Sequence, residues 1–431
     1  MPLLHRLPVL LTGIAAVVLT VAPGPRAGVS PGETIDKSRL AEVRPLISPS
    51  IEWILDRGAT MKVVEAKPVG WPQAFREATE RYAGQVRLAP DGLTLENYIA
   101  GQPFPTLDPN DPAMAVKVMW NYEYRPYPGT DDFVEYDFPA WDGSLNREAP
   151  MSVERLFRIG ESRRLYYNGR LVVDPKPEMP NASGYRFQEF VGPILAPYDL
   201  KGVGLLTYRY IDPAKPDASF LYLPVLRRVR RLSTAQRSDA ILGTDADPDS
   251  FWGYAGHIAW MAWRFLGEKE MLGVMHGEHY PIQQCPGAAD FMFCDAWEKR
   301  RVYVIEGRSR LSQYAYGKRI LYIDKQAWVV TYEDIYDQAG ELWKVWIDDH
   351  QFRDRAFPGA TTYPEEQDFY AGLLMLDMQL EHATYVPHPG ADPPGHEGWH
   401  FNRGPNARTD ASPSGSIPEM FSIASLVARG N

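Results

Sequence analysis

The chain has 431 residues, 45% of them hydrophobic and 23% charged, the balance of a globular protein and not of a disordered one. Its formal net charge of −10 argues against a general nucleic-acid binder, which would carry a basic footprint. The length allows two or three domains, but large β folds often run long as one unit.

Residues 1–27 read as a secretory signal peptide. His5 and Arg6 precede an uncharged apolar stretch from Leu7 to Ala22, and Pro/Gly/Ala-rich PGPRAG follows. Cleavage after Ala22 or after Ala27 fits equally well. The stretch is shorter than a comfortable membrane span of roughly 20 residues. Export to the periplasm is therefore expected, with residues 28–431 forming a single domain.

Short helices come first. Asp36 to Val43 stops before Pro45, SPSIEWILDRG starts at Ser48-Pro49 and stops at Gly58, and WPQAFREATERYAG puts Phe75, Ala78, Thr79 and Tyr82 on one stripe. From Ala113 the period changes to two. It predicts a strand over 113–125 (AMAVKVMWNYEYR), a hairpin over 165–173 about an Asn168-Gly169 turn, and strands over 203–212 and 219–232. An apolar run from Phe251 to Leu266, with Asp247, Asp249 and Ser250 before it and Gly267 after it, predicts a helix. RVYVIEG, RILYID, WVVTYEDIY and LWKVWID read as a meander of strands, and a further strand is expected in LLMLDMQLEHATYV. A loop over 387–415 and a terminal helix, IPEMFSIASLVARG with Pro418 in its first turn, complete the chain. Many of these strands are apolar on both faces, whereas a one-sided sheet alternates cleanly, so a second layer must cover the second face. The helix predicted over 251–266 is the candidate cover.

Chemical motifs are sparse. There is no G-x-S-x-G elbow, Walker loop or dinucleotide fingerprint. The pairs Glu333-Asp334 and Asp348-Asp349 point to opposite faces of a strand and read as solvated strand ends. His276 and His279 lack the zinc-protease spacing. DADPD (245–249) opens like a calcium loop, yet Ser250 and Gly256 stand where that loop needs Gly and Glu, so helix capping accounts for it. Cys285 and Cys294 are expected to form a disulfide. In LRRVRR (226–231), Arg228 and Arg230 share one strand face and are placed to grip a phosphate, a carboxylate or a partner protein; a structural network with Asp239 and Asp245 is the alternative. Trp120, Tyr122, Tyr208, Tyr210, Tyr222, Tyr322, Trp328, Tyr332 and Trp346 all fall on predicted strands and together suit the wall of a wide apolar cleft. No catalytic set, metal or cofactor is predicted.

Four stretches carry a resemblance: LENYIAGQPFP (95–105), FLYLPVLRRVRRLSTAQRSDAILGTD (220–245), YGKRILYIDKQAWVVTYEDIYDQAGELWKV (316–345) and EMFSIASLVARG (419–430). With them the chain resembles the bacterial domain-of-unknown-function family 1329, whose members are similar to outer-membrane lipoprotein-sorting proteins. That resemblance implies a mainly β (α+β) fold, in which a large curved antiparallel sheet forms an incomplete barrel. Helices on its concave side would enclose an apolar cavity for acyl chains. It also implies a non-catalytic carrier that shuttles a lipid, sterol-like or acyl compound, touches membranes transiently and serves a resistance-nodulation-division type transporter. An envelope hydrolase and a structural adaptor of an export complex are the alternatives.

Overall fold

The computed structural model describes residues 28–233, 236–279, 282–387, 398–408 and 413–431. The signal-peptide reading of residues 1–27 lies outside the described residues, as do 388–397 and 409–412 of the expected 387–415 loop; within that loop Trp399–Phe401 is not loop but a short strand paired with residues 133–135.

One 16-stranded sheet organises the chain. Its long strands are β1 (Asp132–Ser144), β2 (Ser152–Tyr166), β3 (Tyr185–Ala196), β4 (Gly204–Tyr210), β5 (Ala218–Leu223), β6 (Arg228–Arg231), β7 (Met261–Gly273), β8 (Trp297–Ser309), β9 (Lys318–Asp324), β10 (Val330–Tyr336), β11 (Leu342–Asp349), β12 (Gly372–Asp377) and β13 (His382–Pro387). They lie side by side in the order β7 to β13 and then β1 to β6, all antiparallel, and the sheet does not close. Among the described residues one pairing is parallel: Met61–Val64 joins the start of β8, where Val63 lies opposite Trp297. Among the described residues, beyond a single helical turn at Leu40–Val43, the α-helices are α1 (Pro49–Asp56), α2 (Gln73–Tyr82), α3 (Met114–Glu123) and α4 (Ile423–Gly430). This is the expected class: mainly β, a large open sheet with few helices.

Both faces of the β8–β13 half are covered, which explains strands apolar on both sides. On one face Val302, Tyr322, Tyr332, Ile347, Leu374 and Tyr385 pack with Ile51, Ile54 and Leu55 of α1. On the other, Ile305, Leu321, Ile323 and Val330 meet Met114, Val118, Met119 and Tyr122 of α3, while Trp346, Leu373 and Met375 pack under Phe251 and Trp399. Ser48 caps α1 by accepting from the Ile51 amide. The Ser48 and Ser50 hydroxyls donate to Asp334 on β10, so the cap also fastens the helix to the sheet.

Several expectations are corrected. Residues 114–123, which carry Trp120 and Tyr122, form a helix and not a strand; it is buried nearly all round, and that erases the alternation that helical periodicity is judged against. The second layer is therefore α3. The run 251–266 is not a helix: two 3-10 turns lead into strand β7, which pairs along β8. Gly253 at φ +90° and Trp252 at φ 64° break any helix there. The Asn168-Gly169 hairpin does not form either. The Leu171, Val172 and Val173 amides are taken by the Asp131 carboxylate, and β2 pairs instead with β3. The strand expected over 219–232 breaks at Pro224 into a β5–β6 hairpin whose turn closes with Arg227 left-handed at φ 47°. Trp328 sits in the β9–β10 turn at φ 61°.

The carboxylate pairs are not solvated ends. Glu333 and Asp334 are fully buried, as are Asp348 and Asp349. They do point to opposite faces: Glu333 pairs with the equally buried Arg319, and Asp334 meets Ser48 and Ser50. Cys285 and Cys294 are joined by a disulfide.

Candidate functional site

Most of the aromatic residues expected to wall a wide apolar hollow are instead packed among the chain's own side chains. Tyr122, Tyr222, Tyr322, Tyr332, Trp328 and Trp346 are buried within the packed cores. Tyr208 donates to the Phe421 carbonyl beneath α4. Arg228 and Arg230 stand exposed on edge strand β6, away from any enclosed space. Arg237, further along the chain, binds Asp217 and Asp249.

Trp120 and Tyr210 border a real cleft. It measures about 280 Å³ and lies between the C-terminal half of α3, the segment 94–99 and the ends of β3 and β4. Tyr98, Ile99, Tyr124, Ile211 and Ile258 complete its apolar wall, and Glu123, Arg186, Arg209 and His257 bring polar groups to it. A smaller cavity of about 30 Å³ adjoins it, sharing Tyr98, Glu123, Tyr124, Arg186 and Arg209 and adding Arg164, Tyr166 and Phe187. The open surface groove of about 480 Å³ beside Gly84–Arg87 carries no aromatic side chain.

Local sequence builds this cleft. On α3, Trp120 and Tyr124 are four residues apart and so share a face, with ring centroids 5.9 Å apart. Trp120 Nε1 donates to the Leu93 carbonyl at 2.7 Å, tying the helix to the 94–99 segment. Tyr98 lies against Tyr124 at 3.8 Å. Arg186 of β3 is sandwiched between the Tyr124 and Tyr166 rings, its guanidinium 4.4 and 4.6 Å from their centroids, and it pairs with Glu123 at 3.2 Å. Such stacking suits a planar guanidinium.

Behind Arg209 runs a chain of buried ions. Arg209 binds Asp217 through two bonds of 2.5 and 2.8 Å, Arg237 reaches the same carboxylate at 2.8 Å, and Arg237 Nε bonds Asp249 at 2.6 Å. Burial alone would raise the Asp217 carboxyl, but the two flanking guanidinia hold it below the usual carboxylate range. His257 is held neutral: burial and the adjacent Arg209 push it down to about 4. Its geometry agrees, since Nδ1 accepts from the Ala259 amide at 3.1 Å while Nε2 lies 3.2 Å from the Ile211 carbonyl.

The DADPD carboxylates do not converge, and they precede no α-helix. Asp245 meets His382 and Thr384, Asp247 meets Ser250 and Tyr316, and Asp249 meets Arg237. Asp142, Asp245 and His382 do come within 4.8 Å of one another. The Arg155 guanidinium and the Thr384 hydroxyl already bond that group, which makes it a closed polar cluster. Sequence reasoning missed Arg186, Arg209 and His257. Their positions beside aromatic residues, YRF, YRY and GHIAW, were the available signal.

The profile of the family described as Protein of unknown function (DUF1329) matches residues 34–403. The chain belongs to that family. An uncharacterized protein of Pseudomonas aeruginosa is 27% identical over 291 residues; the match covers 64% of this chain and 58% of that relative's length. Several solved structures are similar. A domain described as outer membrane lipoprotein-sorting, from Vibrio parahaemolyticus, shares 16% identity at a TM-score of 0.45, covering 72% of this chain and 97% of that one. A DUF1329 family protein from Desulfovibrio piger shares 13% at 0.41, covering 70% and 92%. A LolA superfamily protein from Nitrosomonas europaea shares 12% at 0.38, covering 72% and 98%. Among the described residues no helix is long and apolar enough to cross a membrane.

Proposed function

We propose that this protein is an exported, non-catalytic binding protein of the bacterial envelope that holds part of an amphiphilic molecule in the cleft between α3 and the ends of β3 and β4. The observation that carries the reading is an aromatic wall, Tyr98, Trp120, Tyr124 and Tyr210, facing a floor that contains Arg186. The rings remove apolar surface from water at roughly 25 cal/mol per Å2, and the stacked guanidinium meets a polar head. At about 280 Å³ the cleft sits just below the range typical of small-molecule sites, so it takes a short acyl segment or a single ring system and not a whole multi-chain lipid. Delivery between membranes, or to a resistance-nodulation-division type exporter, belongs to the same proposal and is motivated by the family resemblance.

Mass spectrometry of organic extracts from gently purified protein tests this directly. A reproducible amphiphile, lost in Trp120→Ala and Tyr210→Ala proteins that stay folded, supports it. Clean protein that fails to retain a hydrophobic fluorophore refutes it.

The filled sheet faces favour a second reading, a structural adaptor, which the same clean extract would support. The hydrolase alternative gains one feature: partly exposed His279 pairs through Nδ1 with buried Asp295 at 2.5 Å, the orientation of a general base. Among the described residues no Ser, Thr or Cys hydrogen-bonds that ring.

A further inference from the structure

The turn between β3 and β4 and the turn between β5 and β6 stand together at one end of the sheet. The contact at Gly202 shows how closely they meet: a Cβ there would stand 2.8 Å from Cγ of Pro224. From these turns project Tyr198 and Val225, exposed by 90% and 86%, the two most exposed large apolar side chains among the described residues. Leu226 beside Val225 and Leu195 at the end of β3 are exposed too. Single surface apolar residues are ordinary, but adjacent ones on neighbouring turns form a patch.

The surroundings of this patch are basic in a chain of net charge −10. Lys201, Arg227, Arg228, Arg230 and Arg231 are all exposed, and Asp199 is the one acidic side chain in the turn segments 197–202 and 224–231. None of the five cations has an ion-pair partner among the described residues, in contrast to Arg186 of β3 and Arg209 of β4. The turn is preset. Pro224 starts it, Arg227 closes it in the left-handed region, and Val225 and Leu226 are carried at its apex.

Charge on an edge strand has a familiar use, which is to stop strands of other molecules from pairing with it. That purpose accounts for the arginines of β6. It does not account for Tyr198 and Val225, because a surface built to repel neighbours would keep such side chains covered.

We propose that this end of the sheet is a docking surface for an anionic lipid membrane. Tyr198, Val225 and Leu226 would enter the boundary between headgroups and acyl chains, while Lys201 and the four arginines bind lipid phosphates. The arrangement combines a shallow apolar insertion with electrostatic attraction, each weak alone and sufficient together for reversible attachment. The cleft lies at the opposite ends of β3 and β4, about 20 Å along β4 from Gly204 to Tyr210. The inference rests on the carrier reading for its purpose only, because docking is measured on bare lipid and retention is measured at the cleft.

The experiment is co-sedimentation of the protein with vesicles of phosphatidylglycerol and phosphatidylcholine, against phosphatidylcholine alone. Wild type is expected to partition onto the anionic vesicles and to be released by high salt. Arg228→Glu/Arg230→Glu and, separately, Tyr198→Ser/Val225→Ser should each lower partitioning by about tenfold or more, with unchanged circular dichroism and unchanged fluorophore retention in the cleft. Equal binding to both vesicle types overturns the proposal. So does full binding by both double variants, or a wild-type dimer in light scattering that Arg228→Glu/Arg230→Glu dissociates, because the patch would then pair with a second copy of the chain.

Discussion

His257 makes the cleft a proton-sensitive element whose contribution to stability can be worked out. Its imidazole is 7% exposed and held neutral, with a pKa pushed down to about 4 from an ordinary 6.5 by burial and then by Arg209. Between those values the unfolded chain binds a proton that the folded chain refuses, so stability rises with pH across that window and is lost as pH falls from about 6.5 to about 4. Each unit is worth about 1.36 kcal/mol, so the full contribution approaches about 3 kcal/mol, and about 2 kcal/mol of it is gone by pH 5. His257→Gln removes the titration while keeping a group that both donates and accepts. Urea unfolding of wild type and variant at intervals from pH 7 to pH 4 should give a difference that narrows steadily with acidification. Buried carboxyls that titrate in the same range act in both proteins and cancel from the comparison. If the two curves stay parallel over the whole range, the neutral-imidazole argument is wrong.

Three further outcomes are expected. His350 behaves in the opposite sense to His257: burial pushes it down, but Asp368 at 2.7 Å outweighs this and holds it at about 9, so its stabilisation is full below about 6.5 and fades as pH rises through 9. Asp368→Asn should therefore cost about 3–5 kcal/mol in denaturant unfolding at pH 6 and much less at pH 10, since it strands a buried charge only while the imidazole is protonated. Burial lifts Asp334 to about 6 from an ordinary 3.8 against the hydroxyls that bond it, and its protonated form is the one folding favours, so Asp334→Asn should gain stability relative to wild type as pH rises from about 4 to about 6 and keep that gain above it; a calorimetric series from pH 4 to pH 7 that shows no trend over the lower part would contradict this. Reduction of the Cys285–Cys294 bond should lower unfolding free energy by about 2–3 kcal/mol, read as a shift in urea midpoint with and without reductant, and should leave fluorophore retention in the cleft unaltered.

The meander from Lys318 to Asp348 was legible because β-branched and aromatic runs alternate with short polar turns such as DQAG, and each strand pairs with its sequence neighbour. The two large misreadings share one cause. In Met114–Glu123 and in 251–266, apolar residues are nearly continuous, and a continuous run fits either period. The glycines decided the second case: Gly253 at positive φ stops a helix, and strand β7 begins beyond it. In the first case Ala115, Val118, Met119 and Tyr122 do trace a helical stripe, but Val116 and Trp120 fill positions between them, so the stripe does not stand out. Buried acids were misplaced for a different reason. Asp334 owes its interior position to Ser48 and Ser50, nearly three hundred residues earlier, and no local pattern announces such a partner. The aromatic candidates were mostly core because composition cannot say which ring points inward; Trp120 and Tyr210 reach the cleft because they sit where α3 and β4 end.

The parallel pairing of Met61–Val64 with Trp297 and Glu298 also orders events in time. A chain that emerges from its N-terminus must synthesise roughly two hundred more residues before this segment meets its neighbour, and contacts so distant in sequence slow assembly. Until then Val63, and the α1 residues that pack beside it, have nowhere to bury themselves. The nascent chain therefore carries these apolar side chains unpartnered through much of its synthesis, and it completes its fold only when β13 has arrived to join β1.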